Sequence, residues 1–218
     1  MTAIPQILIA ALGNLPMPLT RHRCVPSPTF VSLYRPIIVE QNYSLGQYVL
    51  DAMAIRLGIR MSSDRKGIIG QGIVTLGDTP VSLILYKSTL LTDHQLCWPA
   101  ESFMNISGPS IAEVYRTSVK SPNTMIVLQD SMSHRVEQLS VKLGGSANGH
   151  NGVKSIISSL GGEQGFYRFR LGIGERGGTD AANFVMGKLT PHEREFWTEG
   201  GLDRVLEAIE IVAQKAAR

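Results

Sequence analysis

Short apolar runs alternate with helically spaced apolar residues along the chain. Residues 7–12 form a continuous apolar run that Gly13 and Asn14 end, as in a strand buried on both faces of a sheet. Apolar residues then recur at helical spacing over residues 45–57, and Gly58 follows them as a typical helix terminator. This order of a buried strand followed by a helix is typical of an α/β protein.

The same alternation continues to the end of the chain. Residues 67–75 and 81–86 predict a hairpin around a turn at 77–80. The later pattern predicts helices at 107–115, 152–160 and 191–218, and strands at 124–129, 136–143 and 166–173. We therefore expect an α/β fold, a single three-layer domain over residues 1–218 with a twisted mixed β-sheet and helices on both faces.

Two segments do not fit this alternation. Residues 23–43 contain three prolines and no clear period, and residues 89–100 interrupt the passage from a strand to the next helix. Long irregular segments are uncommon inside a small domain and are usually functional or disordered. We interpret both as insertions.

Composition restricts the class of protein. With 218 residues, 43% of them hydrophobic and 18% charged, the chain can form a sizeable core. Cys24 and Cys97 are far apart, which argues against a disulfide framework and favours a reducing compartment. No apolar run is long enough for a membrane helix, and residues 1–13 lack the arginines of a mitochondrial presequence. We expect an intracellular protein with no membrane partner, cytoplasmic in the first instance, with the mitochondrion left open.

A glycine-rich loop at Gly144 to Gly152 precedes a helical pattern and is suited to binding a phosphate or a carbonyl oxygen. The net charge of +3 does not by itself indicate a nucleic-acid partner. Basic residues nevertheless gather near the loop in sequence, and they would either meet a phosphate backbone or simply face solvent: Lys142, Lys154, Arg168, Arg170 and Arg176.

Further candidate site residues follow the predicted strands, where active sites of open sheets collect. They are Asn14, His22, Met104 with Asn105, Asp130, and His150 with Asn151. A histidine can accept a proton near neutral pH, an aspartate can orient it, and asparagines can hold carbonyls, so this set favours hydrolysis by water. The chain lacks Gly-x-Ser-x-Gly and His-Glu-x-x-His, so we expect neither a serine nucleophile nor a metal.

Together these motifs resemble the bacterial-type peptidyl-tRNA hydrolases over most of the chain and in the same order. The matching pieces are Gly13-Asn14, Thr20-Arg21-His22, Ser102 to Gly108, Asp130, Lys142 to Gly152, Phe166 to Gly174, and Phe184 to Lys188. The resemblance implies cleavage of the ester between a peptide C-terminus and the 3′ end of tRNA, without a cofactor or a metal. It also implies a monomer whose partner is peptidyl-tRNA.

The resemblance also implies a role for each matching residue. His22 would be the general base and Asp130 would orient it. The substrate-binding residues would be Asn14, Met104, Asn105, His150 and Asn151. Lys142 and Arg170 would hold a tRNA phosphate, although a bulge could place them on opposite faces of the sheet.

The chain departs from the family pattern close to these residues. The insertions at about 23–43 and 89–100 adjoin His22 and Asn105, and Met17-Pro18 stands where an aromatic residue is expected. The insertions could be tolerated loops, a translated intron, or displacements of the site. The alternative function is therefore a catalytically impaired tRNA- or RNA-binding protein of the same fold. A third possibility, an α/β hydrolase of small peptides, leaves the basic residues without a purpose.

Overall fold

The computed structural model describes residues 4–13, 45–64, 67–88, 107–174 and 189–217. Both predicted insertions lie outside the described residues. The described strands are β1 (Gln6–Ala11), β2 (Ser62–Asp64), β3 (Gly67–Leu76), β4 (Thr79–Ser88), β5 (Met125–Ser131), β6 (Leu139–Leu143) and β7 (Tyr167–Gly172). The described helices are α1 (Leu45–Arg56), α2 (Ser107–Ser118), α3 (Asn151–Ser159), α4 (Pro191–Thr198) and α5 (Gly200–Ala216), with a 3₁₀ turn at Pro122–Thr124.

These strands form a mixed sheet in the order β2-β3-β4-β1-β5-β7-β6. The four central strands, β4, β1, β5 and β7, run parallel to one another. β2 and β3 are antiparallel at one side of the sheet, and β6 is antiparallel to β7 at the other. The carboxyl ends of all four central strands therefore meet at one edge, where α/β proteins bind their ligands.

Helices cover both faces of the sheet. On one face α1 and α5 bury side chains such as Leu50 and Val205 against β1 residues of odd number, including Ile7 and Ile9. On the other face α2 and α3 pack against the β1 residues of even number, as expected when side chains alternate along a strand. The predicted fold, a mixed sheet between two helical layers, is confirmed.

The prediction of one strand over residues 136–143 is wrong at its beginning. β6 starts at Leu139, and the preceding residues form a turn in which the Gln138 amide donates to the Arg135 carbonyl at 3.1 Å. Glu137 lies in the left-handed region at φ 66°, which a strand residue does not adopt. The turn at residues 77–80 is also tighter than predicted, since β4 begins at Thr79.

The prediction of a single helix from Pro191 is wrong as well. The structure has two helices, because the backbone of Glu199 leaves the helical region at φ −118° and ψ −110°. The first helix is fixed at its start by a capping box in which Thr190 and Glu193 bond each other's backbone amides. Two glycines, Gly200 and Gly201, then open the second helix.

The start of α2 is in close contact with the middle of α3. The Gly108 amide donates to the Ser155 hydroxyl at 3.0 Å, and a Cβ atom at Gly108 would lie within 2.2 Å of the Ser155 carbonyl oxygen. Such an approach is open only to glycine. The contact fixes the distance between two helices that both begin at the edge where the central strands end.

None of the helices in the described ranges combines the length and the apolar character needed to cross a membrane.

Candidate functional site

The edge formed by the ends of β1 and β5 is built from close backbone contacts. The Leu12 amide donates to the Leu128 carbonyl at 3.0 Å, which continues the pairing of β1 with β5 beyond the strand. Gly152 in the first turn of α3 lies against the Leu12 side chain, where an added Cβ would be 3.0 Å from its methyl groups. On the opposite side Gln47 of α1, fully buried, donates to the Gly13 carbonyl at 3.0 Å. The end of β1, at Leu12 and Gly13, is thus contacted from both helical layers just before Asn14.

Asp130 and His150 form a pair at this edge. Asp130 is the penultimate residue of β5, and His150 is the N-cap of α3. The His150 Nε2 atom is 3.5 Å from Asp130 Oδ1, and their side chains are only 11% and 15% exposed. This separation is at the outer limit of a hydrogen bond, and within the described residues Nε2 makes no shorter polar contact.

The other nitrogen of His150 is also engaged. Its Nδ1 atom accepts the Val153 backbone amide at 3.4 Å, which caps the helix. A nitrogen that accepts carries no proton, so we infer that the neutral ring is protonated at Nε2, the nitrogen nearer to Asp130. His150 is therefore held by a hydrogen bond at Nδ1, while Nε2 is buried beside Asp130 without a hydrogen-bond partner among the described residues.

The pKa of the Asp130 carboxyl lies below its ordinary value of 3.8. Burial is the largest influence and by itself would raise this pKa. The contact with the His150 imidazole, together with a hydrogen bond from the backbone amide of Asp130, outweighs burial. The site therefore keeps a buried carboxylate ionised at neutral pH.

Two variants of His150 separate its two contacts. We expect His150→Ala to lose the helix cap and to destabilise the protein by about 1 kcal/mol, whereas His150→Asn retains a capping side chain.

Both variants should raise the pKa of Asp130. Because the native pKa of Asp130 is lowered, its stabilisation is present above the unfolded value of 3.8 and is lost as pH falls through the folded value. Urea unfolding between about pH 3 and pH 6 should show a smaller gain in stability with pH in both variants. An unchanged gain would contradict the pairing.

A basic face lies on β6 and β7 beside this pair. Lys142 is opposite Arg168 across the two strands, and Ser140 is opposite Arg170. The four side chains therefore share one face of the sheet. Lys142 and Arg170 are thus on the same face, a point that the sequence left open. Like charges at facing positions repel, and within the described residues none of these cations forms an ion pair with a carboxylate. We define the basic face as Lys142, Arg168 and Arg170.

The Arg170 side chain is oriented by its neighbour. Its Nη2 atom donates to the Ser140 hydroxyl at 2.7 Å, while its Nε atom is buried and has no hydrogen-bond partner among the described residues. Lys142 and Arg170, cations without a carboxylate partner among the described residues, are suited to binding an anion.

Arg168 is a residue whose function the sequence did not single out. It is 1% exposed and donates to the Gly144 carbonyl at 2.6 Å and to the Ser146 carbonyl at 2.5 Å. Burial, and after it the charge of Arg170, lowers the pKa of its guanidinium. The arginine thus ties the glycine-rich loop to the sheet. The available signal was the alternation of β7, which places Arg168 on the same face as Arg170.

The glycines of this loop allow its backbone to turn and to approach the basic face closely. Gly144 and Gly145 lie at φ 67° and φ 81°, a conformation that other residues adopt with strain. A Cβ atom at Gly145 would lie 3.2 Å from Lys142 Cε and 3.3 Å from Arg168 Nη2. The loop therefore passes directly over two cations of the basic face before it enters α3.

The structure describes five of the nine predicted site residues. It brings Asp130 together with His150, and Lys142 together with Arg170, and it places Asn151, exposed, as the first residue of α3. Asn14, His22, Met104 and Asn105 lie outside the described residues. Within the described ranges no group of three or more metal-ligating side chains is present.

The fold and this edge define an α/β protein with a buried Asp-His pair beside a basic, loop-covered face. Residues 40–218 match the family model described as peptidyl-tRNA hydrolase. The chain is 33% identical over 186 residues to the peptidyl-tRNA hydrolase of a Synechococcus species. This alignment covers 84% of this chain and 75% of that protein. It is 32% identical over 155 residues to the peptidyl-tRNA hydrolase of Agathobacter rectalis, covering 70% and 74% of the two chains.

A solved structure agrees with the fold. The crystal structure of peptidyl-tRNA hydrolase from Acinetobacter baumannii superposes with a TM-score of 0.66 at 23% identity, and the match covers 99% of this chain and 91% of that chain. This chain belongs to the peptidyl-tRNA hydrolase family. The family model begins at residue 40, close to the end of the predicted insertion at 23–43, so His22 lies outside the matched range.

Proposed function

We propose that this protein is a peptidyl-tRNA hydrolase that cleaves the ester between a peptide and the 3′ end of tRNA by attack of a histidine-activated water. The observation that carries the proposal is the buried, ionised Asp130 beside the basic face, at one sheet edge of a chain that belongs to this family. The carboxylate can orient a general base, and the basic face can bind the phosphates of a nucleic acid.

His22 is the general base in this mechanism. His150 is poorly placed for that task, because Nδ1 accepts the Val153 amide and Nε2 is buried 3.5 Å from Asp130. A base needs a free lone pair within reach of water. We assign His150 instead to positioning: it caps α3 and keeps the carboxylate of Asp130 ionised, so that Asp130 can stabilise the imidazolium that forms on His22.

Asparagines hold the peptide end of the substrate. Asn151 is exposed at the start of α3, and Asn14 and Asn105 flank the same edge in sequence, with Met104 shaping the cleft. Neutral amides can donate to peptide carbonyls and to the oxyanion that develops at the ester. An aminoacyl-tRNA lacks the additional peptide carbonyl, so it would leave donors unpaired and react more slowly.

Lys142 and Arg170 hold a phosphate of the tRNA. Their shared face and the absence of a carboxylate partner within the described residues support this role. Arg170 is pre-oriented by Ser140, which reduces the entropy lost on binding. An ester is an easier bond to cleave than an amide, so positioning and hydrogen bonding can suffice without a metal.

The proposal is tested by release of tRNA from N-acetyl-aminoacyl-tRNA compared with free aminoacyl-tRNA, using the purified full chain. We expect selective cleavage of the acetylated substrate, and tRNA binding that weakens steeply between about 50 and 200 mM salt. Salt-dependent binding without cleavage would instead support the catalytically impaired RNA-binding protein. That alternative rests on the predicted insertion directly after His22. Cleavage of small peptides without tRNA binding would contradict both.

We further propose a single domain that acts as a monomer in a compartment where translation occurs, the cytoplasm in the first instance. The paired strands β1 to β7 form one sheet with two helical layers, which supports a single domain. Sedimentation equilibrium with and without tRNA tests the oligomeric state.

A further inference from the structure

The turn between β5 and β6, residues 132–138, is folded across the end of β7. Two backbone hydrogen bonds hold it there: the Gly174 amide donates to His134 at 3.0 Å and the Gly172 amide to Gln138 at 2.8 Å. The Ile173 amide donates at 3.1 Å to Ser131, the last residue of β5. This turn begins two residues after Asp130 and ends two residues before Ser140, which orients Arg170. It therefore borders both halves of the site.

His134 is the histidine of this turn, and it is bonded to Ser131, which lies on the same sheet face as Arg170 because Gln129, two residues before Ser131, is in register with Arg170. Its Nδ1 atom lies 2.7 Å from the Ser131 hydroxyl, which fixes the ring on the side of the sheet edge. His134 is partly exposed, and the charge of Arg170 is near enough to act on it. With Nδ1 engaged by Ser131, Nε2 is the nitrogen left to meet a ligand.

We propose that His134 is a further phosphate-binding residue beside Arg170, and that it couples the binding of tRNA to the uptake of a proton. The inference rests on the proposed function, since it assigns a phosphate of tRNA to the basic face. It extends that face from three fixed charges to a fourth group whose charge depends on pH.

The charges around His134 support the direction of this coupling. Burial and then the charge of Arg170 lower its pKa, so the ring is neutral at physiological pH in the free protein. A phosphate placed between Arg170 and His134 would add a negative charge that favours the imidazolium. Binding then raises the pKa of His134, and affinity increases as pH falls through the range between the bound and free values.

Other charged groups near the turn do not offset this effect. Glu137 is engaged with His192 of α4, whose Nε2 atom lies 2.8 Å from its carboxylate. Asp130 is engaged with His150, and Arg135 is exposed. On β6 and β7 the charged side chains of the same sheet face are Lys142, Arg168 and Arg170, which are all cations.

The experiment measures the affinity of uncharged tRNA by fluorescence anisotropy from about pH 5.5 to pH 8 for the full chain and for His134→Gln. Gln retains a side chain that can bond the Ser131 hydroxyl but cannot gain a charge. We expect wild-type affinity to increase by roughly three- to tenfold toward low pH, as expected for a pKa change of up to about one unit, and His134→Gln to lose that increase.

His192→Gln is the matched control, because this histidine is 79% exposed and already paired with Glu137. It should retain the wild-type pH dependence. Equal pH dependence in wild type and His134→Gln, with binding that remains salt-dependent, would overturn the role of His134 alone. Absence of salt-dependent tRNA binding at every pH would instead contradict the proposed function.

Discussion

Replacing His22 by Ala is expected to lower kcat on N-acetyl-aminoacyl-tRNA by about 10²–10⁴-fold, the range typical of a lost general base. The affinity for uncharged tRNA should change by less than about twofold, because the basic face does not include this residue. The measurement combines single-turnover tRNA release with anisotropy binding. It separates a lost chemical step from a lost binding step.

The control for this variant is His192→Ala, which removes an exposed histidine that pairs with Glu137 at the end of the turn. It should leave kcat within about twofold of wild type. If His22→Ala kept its activity, the assignment of the base would be wrong. Activity lost only in His150→Ala, and not in His22→Ala, would move the base to the histidine that contacts Asp130.

The pH profile adds a test of how Asp130 is connected to the base. If Asp130 stabilises the imidazolium of His22, then Asp130→Asn lowers kcat and moves the acid limb of the kcat profile to lower pH, since a carboxylate raises the pKa of a neighbouring histidine. Asp78→Asn in the exposed turn between β3 and β4 is the matched substitution and should have no such effect. An unshifted limb would restrict Asp130 to its contact with His150.

The strands and helices with clear periodicity could be predicted from the sequence, and the interruptions could not. The strand at Gln6–Ala11 and the helix at Leu45–Arg56 were predicted. Burial on both faces of the sheet requires a continuous apolar strand, and burial of one side of a helix requires apolar residues at helical spacing. The end of α4 could not be predicted, since the break at Glu199 is a backbone conformation that leaves the apolar spacing intact. The turn before β6 was missed for a similar reason, because Val136 has a strand-forming side chain but is exposed.

The candidate site shows the same division. Asp130 and His150 were both predicted, but as separate residues with separate partners, because a contact between a strand end and a helix cap depends on three-dimensional packing. The shared face of Lys142 and Arg170 depended on the register of β6 against β7. Register is set by long-range pairing and by the turn before β6, and neither is encoded in a local pattern.

Arg168→Met is expected to weaken tRNA binding by about tenfold and to lower the free energy of unfolding by about 1–3 kcal/mol. The substitution removes one positive charge and leaves the Gly144 and Ser146 carbonyls without their donor. The loop over the basic face then loses its attachment to β7. Anisotropy binding across a salt series and urea unfolding measure the two effects, and the slope of log affinity against log salt should stay near that of wild type, because buried Arg168 bonds the loop and not a phosphate.

Arg168→Lys separates the charge of this residue from its geometry. Lysine keeps the charge, so the salt slope should stay near that of wild type, but a single ammonium cannot bond two carbonyls as the guanidinium fork does. Affinity should therefore still fall by a fewfold relative to wild type. Arg116→Met is the matched control, because Arg116 also donates to a backbone carbonyl, that of Ser159 at 2.7 Å, on an exposed surface away from the loop. If Arg168→Lys bound tRNA as tightly as wild type, the positive charge alone would explain the affinity lost in Arg168→Met. The attachment of the loop to β7 would then have no part in binding.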